Sequence, residues 1–197
     1  MKSPRILLHG IGGVYNYGCE AILRGTELVL REIWPEAMIR YASTNPRRDA
    51  QVLGDSRLEI VARRPRGRYS LQNVVRKVAI GLDCPWNPLR ERIDYLDDVD
   101  VVLSIGGDRY NLWPGGGYNR ELIPFGEAVL GKGKKLVLWA ASVGPFEANP
   151  RAEKRFRRHL SRMHLITARE ERTIDYLATL GVDCPVVRCA DPAFAVT

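Results

Sequence analysis

Within eleven residues the chain sets four glycines, an amide and a carboxylate: Gly10, Gly12, Gly13, Asn16, Gly18 and Glu20. Farther on come Gly106-Gly107-Asp108, Ser142-Val143-Gly144-Pro145, Ala168-Arg169-Glu170 and, near the end, Asp191. Glycines lack a Cβ, so backbone N–H groups can come close to a phosphate or carboxylate. A guanidinium such as Arg169 can grip the same anion through two parallel hydrogen bonds. A carboxylate beside it could take a proton from a hydroxyl or orient it. The expected substrate-binding residues are therefore Arg169, Asn16, Gly12, Gly13, Gly18, Gly106 and Gly107, with Asp108 and Glu20 as the candidate catalytic carboxylates.

Each assignment has a structural alternative. Arg169 opens a helix, where a cation opposes the macrodipole, and it could equally be paired with Glu170, Glu171 or Asp191. Glu20 could be a favourable first-turn acid. His9, whose ordinary pKa lies near neutrality, could donate a proton or simply line a wall. His159 and His164 are expected to be structural. Trp113 could stack on a sugar face or anchor a loop. Two familiar phosphate motifs fail. The first glycine loop has Tyr15 where a dinucleotide fingerprint needs its third glycine, and the second strand ends in Ser43-Thr44-Asn45 without an acid for the ribose. Gly126 to Gly133 imitates a P-loop, but Gly133 stands where Ser or Thr should, and the string ends a helix rather than starting one.

The elements that must position these residues follow from hydrophobic patterning. Apolar runs at Arg5–His9, Met38–Ala42, Leu58–Ala62, Val99–Ser104, Lys135–Ala141, Leu165–Ala168 and Pro185–Arg188 predict strands. Helical spacing predicts helices over Gly18–Ile33, Leu71–Ile80, Tyr118–Leu130, Arg151–Met163 and Glu170–Leu180, with a break near Asp83–Asn87. Uniformly apolar strands alternating with helices predict an α/β fold: a doubly wound, mostly parallel, Rossmann-like sheet. In such sheets ligands bind beyond the carboxyl ends of the strands, where the glycine loops fall; a strand order of 3-2-1-4-5 puts the first and fourth loops at the crevice.

The 197 residues are 45% hydrophobic and 27% charged, an ordinary globular composition that fits one domain over residues 1–197. Thirty Lys and Arg against 23 Asp and Glu give a formal charge of +7, an attraction to anions that does not choose among them. Two basic clusters, one from Arg57 to Arg68 and one from Arg151 to Arg162, are either solvated faces or contacts for anions and membrane surfaces. The four cysteines show no metal-binding spacing, so no metal is expected. The apolar run after the N-terminus is too brief for a signal-peptide core, and the expected location is cytoplasmic.

Five strings in order, Asn16-Tyr17-Gly18-Cys19-Glu20-Ala21-Ile22-Leu23-Arg24-Gly25-Thr26, Ser104-Ile105-Gly106-Gly107-Asp108, Ala141-Ser142-Val143-Gly144-Pro145-Phe146, Ala168-Arg169-Glu170 with Thr173, and Ala190-Asp191-Pro192-Ala193-Phe194, resemble the polysaccharide pyruvyl transferase family. The resemblance implies the N-terminal half of a two-domain, glycosyltransferase-B-type fold, with the C-terminal domain absent from this chain. It implies transfer of the pyruvyl group of phosphoenolpyruvate, a donor substrate rather than a cofactor, to a sugar of a bacterial surface polysaccharide or its lipid-linked precursor, forming a ketal. The implied partners are phosphoenolpyruvate, a glycan or lipid-linked saccharide, the missing domain and the inner face of the membrane, with no nucleic acid. Arg169 matches a family arginine implicated in holding phosphoenolpyruvate, and Asn16 to Glu20 match the loop facing the interdomain cleft. Many members carry Asp where this chain has Cys19. The rival readings are a nucleotide-sugar-dependent glycosyltransferase and a noncatalytic anion-binding or assembly module.

Overall fold

The computed structural model describes residues 3–64 and 92–196 and, between them, residues 71, 74, 75, 77 and 78. The helix expected over Leu71–Ile80 and the break near Asp83–Asn87, with Arg66, Arg68 and Cys84, fall wholly or largely outside the described residues. The chain runs β1 (Arg5–His9), α1 (Tyr17–Ile33), β2 (Met38–Ser43), α2 (Pro46–Val52), β3 (Glu59–Ala62), β4 (Val101–Ser104), α3 (Leu122–Gly131), β5 (Lys135–Ala141), α4 (Pro150–Leu160), β6 (Leu165–Ala168), α5 (Glu171–Leu180) and β7 (Val186–Arg188). Short 3-10 turns cover Asp94–Leu96 and Pro192–Ala195.

The seven strands form one sheet in the order β3-β2-β1-β4-β5-β6-β7, and every pairing is parallel. This is the doubly wound α/β sheet that the apolar runs predict. The order reverses between β1 and β4, where neighbouring loops diverge and leave a crevice. There the register sets His9 beside Ser104. Leu7, Val102, Phe125, Leu136, Phe156 and Ile166 fill the core on one face of the sheet; Leu8, Leu23, Leu30, Tyr41 and Leu103 fill it on the other.

Local chemistry sets the helix ends. Asn16 and Asn149 accept the backbone N–H groups of Cys19 and Ala152, at 2.9 and 3.0 Å, and so cap α1 and α4. Gly181 closes α5 in the left-handed conformation (φ +69°). Helix α3 starts at Leu122, four residues later than its apolar spacing suggests, because the Asn119 side chain accepts the Glu121 N–H at 3.1 Å and folds the chain into a turn. Its C-terminus runs through Lys132 and Gly133 (φ +68°) towards β5, the cap and turn expected of the P-loop lookalike. In β5 the register shifts between Leu138 and Ala141; Ala140 takes φ +47° and its N–H turns to Thr167 Oγ1 at 2.7 Å. The bulge redirects the strand end that delivers Ser142.

Candidate functional site

Arg169 leaves β6 one residue before the N-cap of α5, and its guanidinium lies over Gly107. A Cβ on Gly107 would stand 2.5 to 2.8 Å from that guanidinium, so the missing side chain makes room for the arginine. Nη1 donates to Asp191 Oδ2 at 2.6 Å, Nη2 to Asp108 Oδ1 at 3.1 Å and Nε to Ser142 Oγ at 3.1 Å. Ser142 in turn donates to Glu170 at 2.9 Å. Burial alone would lower the pKa of Arg169, but the Asp191 hydrogen bond and the charges of Asp191, Asp108 and Glu170 outweigh it and hold the pKa above the usual arginine value. The two acids differ: the Asp191 side chain is 19% exposed and that of Asp108 70%. An open groove of about 660 Å³ adjoins the pair, lined by Arg169, Arg188, Cys189, Asp191 and the exposed Phe194. The ion-pair alternative for Arg169 is thus realised with Asp191 at 2.6 Å and, more loosely, with Glu170 at 3.8 Å, while Glu171 pairs with Arg188.

The first glycine loop is tied down on two sides. Gly12 O accepts the Thr44 N–H at 2.8 Å, and the Val14 N–H donates to Asp49 Oδ1 at 3.0 Å. Space beside Gly13 is taken by the Tyr15 ring. The Asn16 oxygen is committed to the α1 cap, and Gly18 sits against that oxygen. Glu20 pairs with Arg24 at 2.8 Å along the helix, and Arg24 reaches on to Asp55 at 2.7 Å, so the second candidate carboxylate is an i,i+4 partner. His9 is buried with its ring stacked on Phe125 at 3.6 Å, the wall position. Trp113 is exposed in a turn closed by its own N–H to Gly117 O at 2.6 Å.

Residues the sequence did not single out complete the crevice. Arg109 threads between the two glycine turns: a Cβ on Gly10 would meet its Nη1 at 2.5 Å, and one on Gly106 its Cδ at 2.9 Å. Both glycines take positive φ, +140° and +113°. A glycine announces close approach without saying by what: at Gly106 the visitor is an arginine three residues down the chain, and at Gly10 the Ile105 carbonyl lies closer than that arginine. Asp49, buried beneath the loop, accepts from Val14, Tyr41 and Ser43. In the second basic cluster Arg155, Arg157 and Arg162 bond to Tyr118, Gly181 O and Glu127, while Lys154 and Arg158 are exposed.

A family model described as polysaccharide pyruvyl transferase matches residues 16–197, nearly the whole chain. The chain belongs to that family. As a polysaccharide pyruvyl transferase family member it carries Asn16, Glu20, Gly106 to Asp108, Ser142, Arg169 and Asp191 inside the match, with β1 and the Gly10–Gly13 turn ahead of it. No curated protein matches the chain. Among solved structures it is similar to Acinetobacter baumannii MurG at 10% identity and a TM-score of 0.42, covering 96% of this chain. This chain spans 46% of the length of that protein. No helix among the described residues of this pyruvyl transferase family member is long and apolar enough to cross a membrane.

Proposed function

We propose that the protein transfers the pyruvyl group of phosphoenolpyruvate to a sugar of a bacterial surface polysaccharide or its lipid-linked precursor, forming a ketal. The observation that carries this reading is Arg169, held from behind by a shielded Asp191 and from the solvent side by an exposed Asp108, in a chain of this family. An exposed ion pair is worth only about 0–1 kcal/mol, so an incoming carboxylate or phosphate can replace Asp108 on Nη2 while Asp191 keeps the guanidinium in place. The displaced Asp108 carboxylate is then adjacent to the donor, free to accept the proton of an attacking sugar hydroxyl.

In the reaction C3 of phosphoenolpyruvate gains a proton and becomes a methyl group, and C2 becomes electrophilic. One sugar hydroxyl bonds to C2, the C2–O bond to phosphate breaks, and a second hydroxyl closes the ketal as its proton leaves. Arg169 stabilises the negative charge of the departing phosphate or the carboxylate beside it. The proton for C3 must come from another group, since Arg169 does not titrate and Asp108 accepts. The substrates place the protein in the cytoplasm, at the inner face of the membrane when the acceptor is lipid-linked.

Phosphate release from phosphoenolpyruvate, followed with a panel of saccharide acceptors, tests the proposal. Arg169→Ala should lower it by about 10²- to 10³-fold, the usual cost of a lost charge-stabilising donor. Unchanged release in that variant, or release by no acceptor, would count against it.

A further inference from the structure

Phe194 sits in the 3-10 turn Pro192–Ala195 and is 83% exposed, although burying a phenylalanine is ordinarily worth about 1.5–3 kcal/mol. The turn that carries it is fixed from three sides. Pro192 is buried with its carbonyl against Gly25 of α1, the Ala193 N–H donates to Asp191 Oδ1 at 3.0 Å, and the Phe194 N–H donates to Asp191 O at 3.0 Å. The backbone therefore holds the ring outward. The other carboxylate oxygen of Asp191, Oδ2, accepts Arg169 Nη1 at 2.6 Å. One carboxylate thus sets both the arginine and the turn that presents the ring, and both side chains line the open groove of about 660 Å³.

The rest of that lining narrows what the ring can receive. Beside Phe194 it carries Arg169, Glu170, Arg188 and Asp191, with no second aromatic and no large aliphatic side chain among the described residues. Contact sites for a protein partner or a lipid surface are marked by contiguous apolar patches of about 300–600 Å² or more. One ring among ionic and hydrogen-bonding groups fits instead a ligand that is polar around its rim and apolar on one face. A pyranose has that form: its C–H bonds make a face that lies on an aromatic ring, and its hydroxyls project towards donors such as Arg188. Volume agrees. Sites for drug-sized ligands run to about 300–1,000 Å³, so the groove exceeds what phosphoenolpyruvate needs and leaves room for a sugar ring beside Arg169.

We propose that Phe194 is the stacking platform for the acceptor: its ring receives the apolar face of a pyranose and so selects which sugar, and which of its faces, stands beside the donor held by Arg169. This rests on the transfer reading above and adds to it the residue that selects the acceptor.

Phosphate release from phosphoenolpyruvate, measured with the methyl β-D-pyranosides of glucose, galactose and mannose as acceptors, tests the platform. Phe194→Ala should raise the acceptor KM at least tenfold and keep the KM for phosphoenolpyruvate within twofold. Phe194→Trp, which keeps an aromatic face, should hold the acceptor KM within threefold of wild type. A second measurement needs no turnover. Titration of the same glycosides should move the backbone amide NMR signals of residues 188–194 in wild type and leave them in place in Phe194→Ala; sorbitol, which has the hydroxyls without the ring, should move them in neither. Release with no glycoside counts against the transfer reading, and the amide titration then decides the platform alone. The platform is overturned if Phe194→Ala leaves the acceptor KM within twofold or raises both KM values alike. It is overturned too if no glycoside moves those amides, if sorbitol moves them as far, or if the glycosides move them equally in Phe194→Ala. Self-association of wild type in sedimentation that Phe194→Ala abolishes would make the ring a contact between copies and overturn it as well.

Discussion

Asp49 is fully buried and accepts three hydrogen bonds, from the Val14 N–H at 3.0 Å, the Tyr41 hydroxyl at 3.1 Å and the Ser43 hydroxyl at 2.5 Å. Through Val14 it fixes the first glycine loop, and through Ser43 the end of β2. Removing it leaves three buried donors unmade, each costing about 1–3 kcal/mol. Asp49→Ala is therefore expected to lower stability by about 3–5 kcal/mol and Tm by roughly 10 °C, read by thermal denaturation. Asp108 should behave oppositely. Its exposed carboxylate competes with substrate for Arg169 Nη2, so Asp108→Asn should hold the fold, tighten phosphoenolpyruvate binding several-fold and lower turnover by about 10²-fold. Weaker donor binding in Asp108→Asn, measured by titration, would mean that Asp108 helps to hold the donor and does not give way to it. Sequence pattern pointed to Asp108 because it follows two glycines. It gave no hint of Asp49, which sits in the polar string Pro46-Arg47-Arg48-Asp49 and is buried only by the fold around it.

At the scale of elements, the strands were legible because a parallel sheet covered on both faces needs near-continuous apolar runs. Helix α2 was not, since seven residues of mixed polarity show no periodicity; only Asn45-Pro46, with proline at the first helical position, marks its start. The docking of the C-terminal turn on α1 was likewise hidden. Gly25, in the middle of α1, faces the Pro192 carbonyl so closely that a Cβ would lie inside van der Waals contact. The next residue upstream, Asp191, holds both the Ala193 N–H at 3.0 Å and Arg169, so this packing sets the arginine's anchor. For Gly25→Ala two effects compete. Alanine in a helix interior gains about 0.5–1 kcal/mol over glycine, whereas overpacking against backbone costs about 1–3 kcal/mol. The clash should win, with Tm falling by a few degrees and the KM for phosphoenolpyruvate rising. A Tm above wild type would show that the C-terminal turn yields freely. Asn16→Ala, which removes the α1 cap, should cost about 1 kcal/mol.

For the molecule as a whole, acid is expected to loosen the face of the sheet that carries α3 and α4. His159 of α4 has a side chain 1% exposed, parallel to the Tyr110 ring and packed against Gly126 of α3. Its Nδ1 lies 3.0 Å from Glu127 Oε1, Glu127 also pairs with Arg162, and Nε2 has no hydrogen-bond partner among the described residues. Burial pushes the imidazole down to about 4. A histidine in an unfolded chain titrates near about 6.5, so above that pH both states are neutral and His159 makes no difference. Between pH 6.5 and 4 the unfolded chain takes up the proton and the folded one does not, so stability falls as pH falls, by up to about 3 kcal/mol. Glu127 favours the protonated ring and makes that figure a ceiling. Ordinary carboxylates titrate mainly below pH 5, and the other histidines, His9 and His164, are common to wild type and His159→Gln, so the difference between the two proteins between pH 7 and 5 reports His159. There, wild type should lose about 2 kcal/mol in urea denaturation, while His159→Gln should start lower at pH 7 and lose much less on acidification. Equal slopes in the two proteins would mean that the imidazole already carries its proton in the fold, shared with Glu127.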